Sequence, residues 1–200
     1  MTVFTSIRSL AAALAAGALV ACATPSISTF DSAEISDASA LSSVQSVYVA
    51  PVTFELEKFV SSVGPRTGAG GQRPVSDKDL ETLAADLRDD IQKALAKSGL
   101  TVVDEPTPGA ATVSAVLTKV ASSRPSFAEL SDEPSLSAQS IYAGGGDVRI
   151  TITSGDDTLA VLTDSESSSL GDGQPRVGIW SDLKSEFRRW ANGVAAAFKD

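Results

Sequence analysis

Leu80, Leu83, Leu87, Ile91 and Leu95 recur at spacings of three and four, with Ala84 and Ala94 on the same side. No other feature constrains the fold as strongly, because a helix with one apolar stripe must bury it against a second layer. Ser76 stands where an N-cap belongs, with Asp79 three residues on as a variant capping box, and Gly99 is placed to end the helix. Asp86, Asp89 and Lys93 fall away from the stripe. The trio Asp86, Asp89 and Asp90 reads as a solvated helix face rather than a metal site. A second stripe (Leu183, Phe187, Trp190, Val194, Phe198) predicts a helix from about Ser181, with Lys184, Arg188 and Arg189 outside it. Trp190 on that stripe is a core residue, not a ligand platform.

Between and before the helices the pattern is that of strands. Residues 46–54 are β-rich, and Pro51 makes that strand an edge, a bulge or an end, since proline donates no ladder hydrogen bond. Residues 64–74 are a Gly/Pro loop that lacks the lysine-containing signature of a phosphate cradle. Short strands follow at 100–103 and 111–121, separated by the turn Pro106–Gly109. Val148, Ile150 and Ile152 alternate with Arg149, Thr151 and Thr153 in the cleanest half-buried strand of the chain. Gly155-Asp156-Asp157 turns it back into 158–165 as a hairpin. The stretch 122–146 and the polar segment 165–175 are read as irregular. The predicted fold is α+β: a four- to five-stranded, mostly antiparallel sheet with two amphipathic helices on one face. A crossover helix between the first two strands permits a parallel pair, and so a mixed sheet.

The N-terminus has a different character. Arg8 is the only charge before Cys22, and an apolar run from Leu10 to Val20 is too short to span a bilayer. It closes in Leu19-Val20-Ala21-Cys22, which resembles the lipobox of bacterial lipoproteins. The resemblance implies cleavage before Cys22, a diacylglyceryl group on its thiol and a palmitate-like chain on the new amine. Two or three acyl chains hold firmly where one is marginal. Cys22 is the only cysteine, so the alternative is a lone free thiol, and no disulfide can form within one chain. Ala23 after the cysteine implies the outer membrane over the inner, facing the periplasm. Residues 1–21 are therefore expected to be a signal peptide, 22–45 a lipidated flexible tether rich in Ser, Ala and Thr, and 46–200 a single periplasmic domain. Parts of the tether can still rest on the domain through Phe30 or Ile35.

With no histidine in the chain, Ser-His-Asp and Cys-His mechanisms and histidine-based zinc sites are excluded. Paired carboxylates are what remains for catalysis, and the candidates are Asp156/Asp157, Asp164/Glu166 and Asp132/Glu133. Nothing in the sequence marks any of them as buried, so no catalytic residue, metal or cofactor is assigned. The net charge of −9 argues against nucleic acid as a partner. Phe127, Leu130, Leu136, Ile141 and Tyr142, in the long stretch after residue 122, are the candidate binding residues.

The chain resembles a family of bacterial lipoproteins known only as a domain of unknown function. The resemblance runs over roughly residues 44–198. It lies in Val47-Tyr48-Val49-Ala50-Pro51-Val52, in the helix Leu80–Ala96 with its exit Lys97-Ser98-Gly99-Leu100-Thr101-Val102-Val103, and in Phe187-Arg188-Arg189-Trp190-Ala191. The family hairpin usually reads Asp-Ser-x-Thr-Gly-Glu, and Thr153-Ser154-Gly155-Asp156-Asp157-Thr158 departs from it. The layout is also similar to small auxiliary lipoproteins of transport and envelope-assembly systems. The expected function is a non-enzymatic envelope accessory anchored through Cys22 that binds or helps assemble a partner protein. A lipid or small-ligand carrier of a transport system, and a carboxylate glycoside hydrolase, are the alternatives.

Overall fold

The computed structural model describes residues 29–55, 60–62, 72–122, 142–169 and 180–199. Among these residues the order is β1 (Ser32–Ile35), α1 (Ala38–Ser43), β2 (Ser46–Val49), β3 (Thr53–Phe54), β4 (Val60–Ser62), β5 (Gln72–Pro74), α2 (Asp77–Lys97), β6 (Thr101–Val103), β7 (Ala111–Ser122), β8 (Tyr142–Ser154), β9 (Asp157–Ser169) and α3 (Ser181–Ala197). All strands join one sheet in the order β1-β9-β8-β7-β2-β6, with β3 and β4 alongside β7 and β5 on β4. The sheet is mixed: β2 is parallel to both β6 and β7, while β7, β8, β9 and β1 pair antiparallel.

The long helix forms as its signals dictate. Ser76 Oγ accepts the Asp79 amide at 3.2 Å, and its hydroxyl donates to the Asp79 carboxylate at 2.7 Å. At the other end Gly99 has φ +100°, its amide bonds the Ala96 carbonyl, and the Leu100 amide bonds that of Leu95. This pair of reversed bonds is a Schellman ending, and glycine supplies the left-handed residue it needs. Leu83, Leu87, Ile91 and Leu95 are fully buried, while Leu80, at the first turn, is half exposed.

Pro51 stands between β2, which ends at Val49, and β3, which pairs with β7 alone and so is an edge among the described residues. Val49 pairs with Val113 and Thr53 with Val116, so the first strand spends one extra residue around the proline before resuming on β7. The ladder is a bulge at that point.

Three facing rows fill the inner side of the sheet: Val49, Val113, Ile152 and Ala160; then Ala115, Ile150 and Leu162; then Leu117, Val148 and Asp164. All are buried. Helices α2 and α3 pack side by side over this face. Lys184 pairs with Asp86 at 2.8 Å, and Arg188 lies near Asp90 one turn further on, so the two helices run in the same direction. On the outer side Thr112, Ser114, Val116, Thr151, Thr153, Val161 and Thr163 are half-buried.

Four expectations are corrected. The sheet has more strands than the four or five predicted, and a third, short helix, α1, is present. Strand β8 begins at Tyr142, so Gly144, Gly145 and Gly146 belong to the ladder rather than to an irregular stretch. Glycine is needed there: a Cβ on Gly146 would lie 2.7 Å from Leu183 Cδ1 and 2.9 Å from the Lys119 carbonyl oxygen. Strand β9 likewise continues to Ser169. Finally, the segment from Thr29 to Gln45 is not a tether. β1 adds to β9 with Ser32 opposite Thr163 and Ile35 opposite Ala160. Asp37 caps α1, and Phe30 and Leu41 are buried in the core. A strand of four residues flanked by Ser and Asp has no readable period, which is why pairing, not pattern, defines it.

Gly146→Ala therefore tests the close approach of α3. The variant should lose about 1–3 kcal/mol of stability, the usual range for overpacking, measured by urea denaturation. An unchanged midpoint would mean that α3 is not pressed onto the strand.

Candidate functional site

Parity places Asp164 where no carboxylate is expected. Leu162 and Asp164 are two apart on β9, so both face inward, and Asp164 takes the last place in a row with Leu117 and Val148. Its side chain is 2 % exposed. An ion so buried persists only if its oxygens are satisfied, and here they are. Asp164 Oδ2 accepts from Trp190 Nε1 and from the Arg189 guanidinium, each at 2.6 Å, and Oδ1 accepts the Asp31 amide at 3.1 Å.

The arrangement extends in both directions. Asp31 returns the bond, its carboxylate accepting the Ser165 amide at 3.0 Å. Arg189 also donates to the Thr29 carbonyl and pairs with Glu186 at 2.6 Å. Burial would lower the Arg189 pKa, but its bonds to Glu186 and Asp164 outweigh this and raise it. The guanidinium therefore stays charged. Next to it, a Cβ on Gly193 would lie 2.7 Å from Phe30 Cε2 and 2.9 Å from Thr29 Cβ. A glycine inside a helix costs about 1 kcal/mol relative to alanine, and here it lets the segment cross the helix. Together these groups clamp residues 29–31 between the middle of β9 and α3.

The sequence reading named Asp164 and Glu166 as a possible catalytic pair, but Asp164 is held by three donors. Glu166 lies in β9, and its side chain is outside the described residues. Asp156, in the two-residue hairpin turn where Gly155 has φ +60°, and Asp157, at the start of β9, are both exposed. Asp132 and Glu133 lie outside the described residues, as do Cys22, Phe127, Leu130, Leu136 and Ile141. Tyr142 is in β8 opposite Ser169, with its side chain outside the described residues. Trp190 is core, as its stripe predicts, with its ring 5.7 Å from that of Phe187. Arg189, expected outside the stripe, is half-buried in the clamp. Asp31 and Arg189 were missed, and Asp164 was misjudged. Its inward parity with Leu162 was the available signal, whereas Asp31 had none.

A shallow groove of ≈ 160 Å³ separates α2 from α3 and is lined by Asp90, Lys93, Lys97, Arg188 and Asn192. Burial pushes the Asp90 carboxyl above its ordinary range, against the pull of Arg188. Among the described residues no three of His, Cys, Asp and Glu are placed to hold a metal ion. No helix among them is long and apolar enough to cross a membrane.

Fold and clamp together define an α+β sandwich whose N-terminal segment is an integral strand. The chain belongs to the family of proteins of unknown function DUF3313, whose model matches residues 35–194. That match begins within β1, in keeping with the early start of the domain. No curated protein matches the sequence. Among solved structures the chain is similar to the PelC dodecamer from Paraburkholderia phytofirmans, with 10% identity, TM-score 0.45, and coverage of 81% of this chain and 97% of that one. It is also similar to a DUF330 protein from Xanthomonas campestris, with 11% identity, TM-score 0.37, and coverage of 74% and 80%.

Two variants probe the site. Asp164→Ala should cost about 3 kcal/mol, since it strands the Trp190 N–H and removes a buried counter-charge. A change under about 0.5 kcal/mol by urea denaturation would refute the clamp. For Asp90, a pKa raised by folding means the native state binds the extra proton, so stability falls as pH rises above about 4. Asp90→Asn should raise Tm at pH 7, and the two melting curves should converge as pH falls below about 4. A lower Tm at neutral pH would show that attraction to Arg188 outweighs burial.

Proposed function

We propose that the chain is a bacterial envelope lipoprotein, acylated on Cys22 and held at the periplasmic face of the outer membrane, that binds or helps assemble a partner protein without catalysing a reaction. The observation that carries this reading is the clamp on residues 29–31. A segment that leads from the acylated cysteine is built into the core by Asp164, Arg189 and Phe30. Such a connection suits a domain that must be held in place at a surface. The most buried acid is committed to that clamp, and the hairpin acids are solvated, which favours binding over carboxylate catalysis. The apolar residues of 127–141, together with the half-buried outer face of the sheet, are the surfaces proposed to meet the partner.

The test is mass spectrometry of proteins crosslinked to the lipidated chain in native envelopes, with Cys22→Ala as control. A stoichiometric partner recovered only with the acylated protein is the expected result. Recovery of bound lipid alone would replace this reading with that of a carrier.

A further inference from the structure

The topology brings three strand ends, those of β7, β8 and β9, to one end of the sheet, and β1 starts partway along β9 on the side nearer that end. Strand β1 begins opposite Thr163, and Asp31 exchanges bonds with Asp164 and Ser165. Ser122 at the end of β7 pairs with Gly144 and with Ser61 of β4. Tyr142 at the start of β8 pairs with Ser169 at the end of β9. The opposite end carries the hairpin turn at Gly155 and the α2–β6 junction at Gly99, since Thr101 pairs with Ser46 and Val47 with Ala111.

We infer that the end holding Ser122, Tyr142 and Ser169, which is the nearer of the two to Thr29, is the surface apposed to the bilayer, and that the Gly155 end points away from it. This rests on the reading of Cys22 as the lipid anchor. Seven residue steps separate Cys22 from Thr29, which whatever their conformation reach at most about 25 Å and on average of order 15 Å. From Ser165, level with the clamp, to Asp156 at the turn, the strand spans about 30 Å at 3.3 Å per residue. With the turn against the membrane, Thr29 would stand farther from the bilayer than the chain can reach. The inverted domain is therefore excluded by geometry. A loose segment through residue 45 would have imposed no such limit; the clamp does so by shortening the free chain.

The experiment uses the full acylated protein in phosphatidylcholine vesicles that contain a nitroxide-headgroup lipid. Acylation occupies Cys22, so a second cysteine can take a fluorophore, and Ser165→Cys and Asp156→Cys are both at exposed positions. Quenching should be at least threefold stronger at 165 than at 156 and insensitive to salt. Inserting twenty Gly/Ser residues between Ser26 and Ile27 should abolish the difference. Equal quenching at the two positions in acylated protein, or stronger quenching at 156, overturns the inference alone. A Cys22 peptide that is unmodified by mass overturns the anchor reading, and the inference with it.

Discussion

A single carboxylate, Asp164, ties together every layer of this molecule. It sits in an inward row otherwise made of Leu117 and Val148, where a charge costs several kcal/mol unless it is fully paired. Its three donors come from two distant places in the chain: the indole and guanidinium of α3, and the amide of Asp31. The N-terminal segment is thus part of the carboxylate's solvation. Without it Asp164 Oδ1 would lose its amide donor, and the middle of β9 would lose its cover.

Two glycines make this arrangement sterically possible. Gly146 lets Leu183 and Trp190 settle onto β8, and Gly193 lets Phe30 and Thr29 pass across α3. Each gives up helix or strand propensity for closer approach of backbones. α3 is consequently buried over more of its circumference than its aromatic stripe implies, with Ala191, Gly193, Ala195 and Ala197 enclosed as well. It packs against the sheet, against α2 and against the incoming segment.

What was legible in the sequence was whatever carries its own period. The stripes of α2 and α3, the cap at Ser76, the Gly99 ending and the alternation Val148–Thr153 all lead to the elements observed. The α+β class follows from them. Short strands were not legible, because β1, β3, β4 and β5 are too brief to show alternation and exist through their partners. The glycine run 144–146 looked like a loop because its reason, the pressure of α3, is tertiary. The clamp was hidden for the same cause: Asp164 shares parity with Leu162, but its meaning depends on Trp190 and Asp31, which are distant in sequence. Family membership agrees with the expected domain of unknown function, and its match begins at Ile35, the last residue of β1, ahead of the start at residue 46 that the pattern implied.

The pairing of β1 with β9 also has a consequence in time. Asp31 and Asp164 are 133 residues apart. A chain that emerges N-terminus first holds its earliest strand without a partner until almost everything else has appeared. Contacts of such separation close late, because the loop entropy must be met before they form. Strand β1 therefore stays without its partner until β9 has appeared, and its pairing is what completes the sheet.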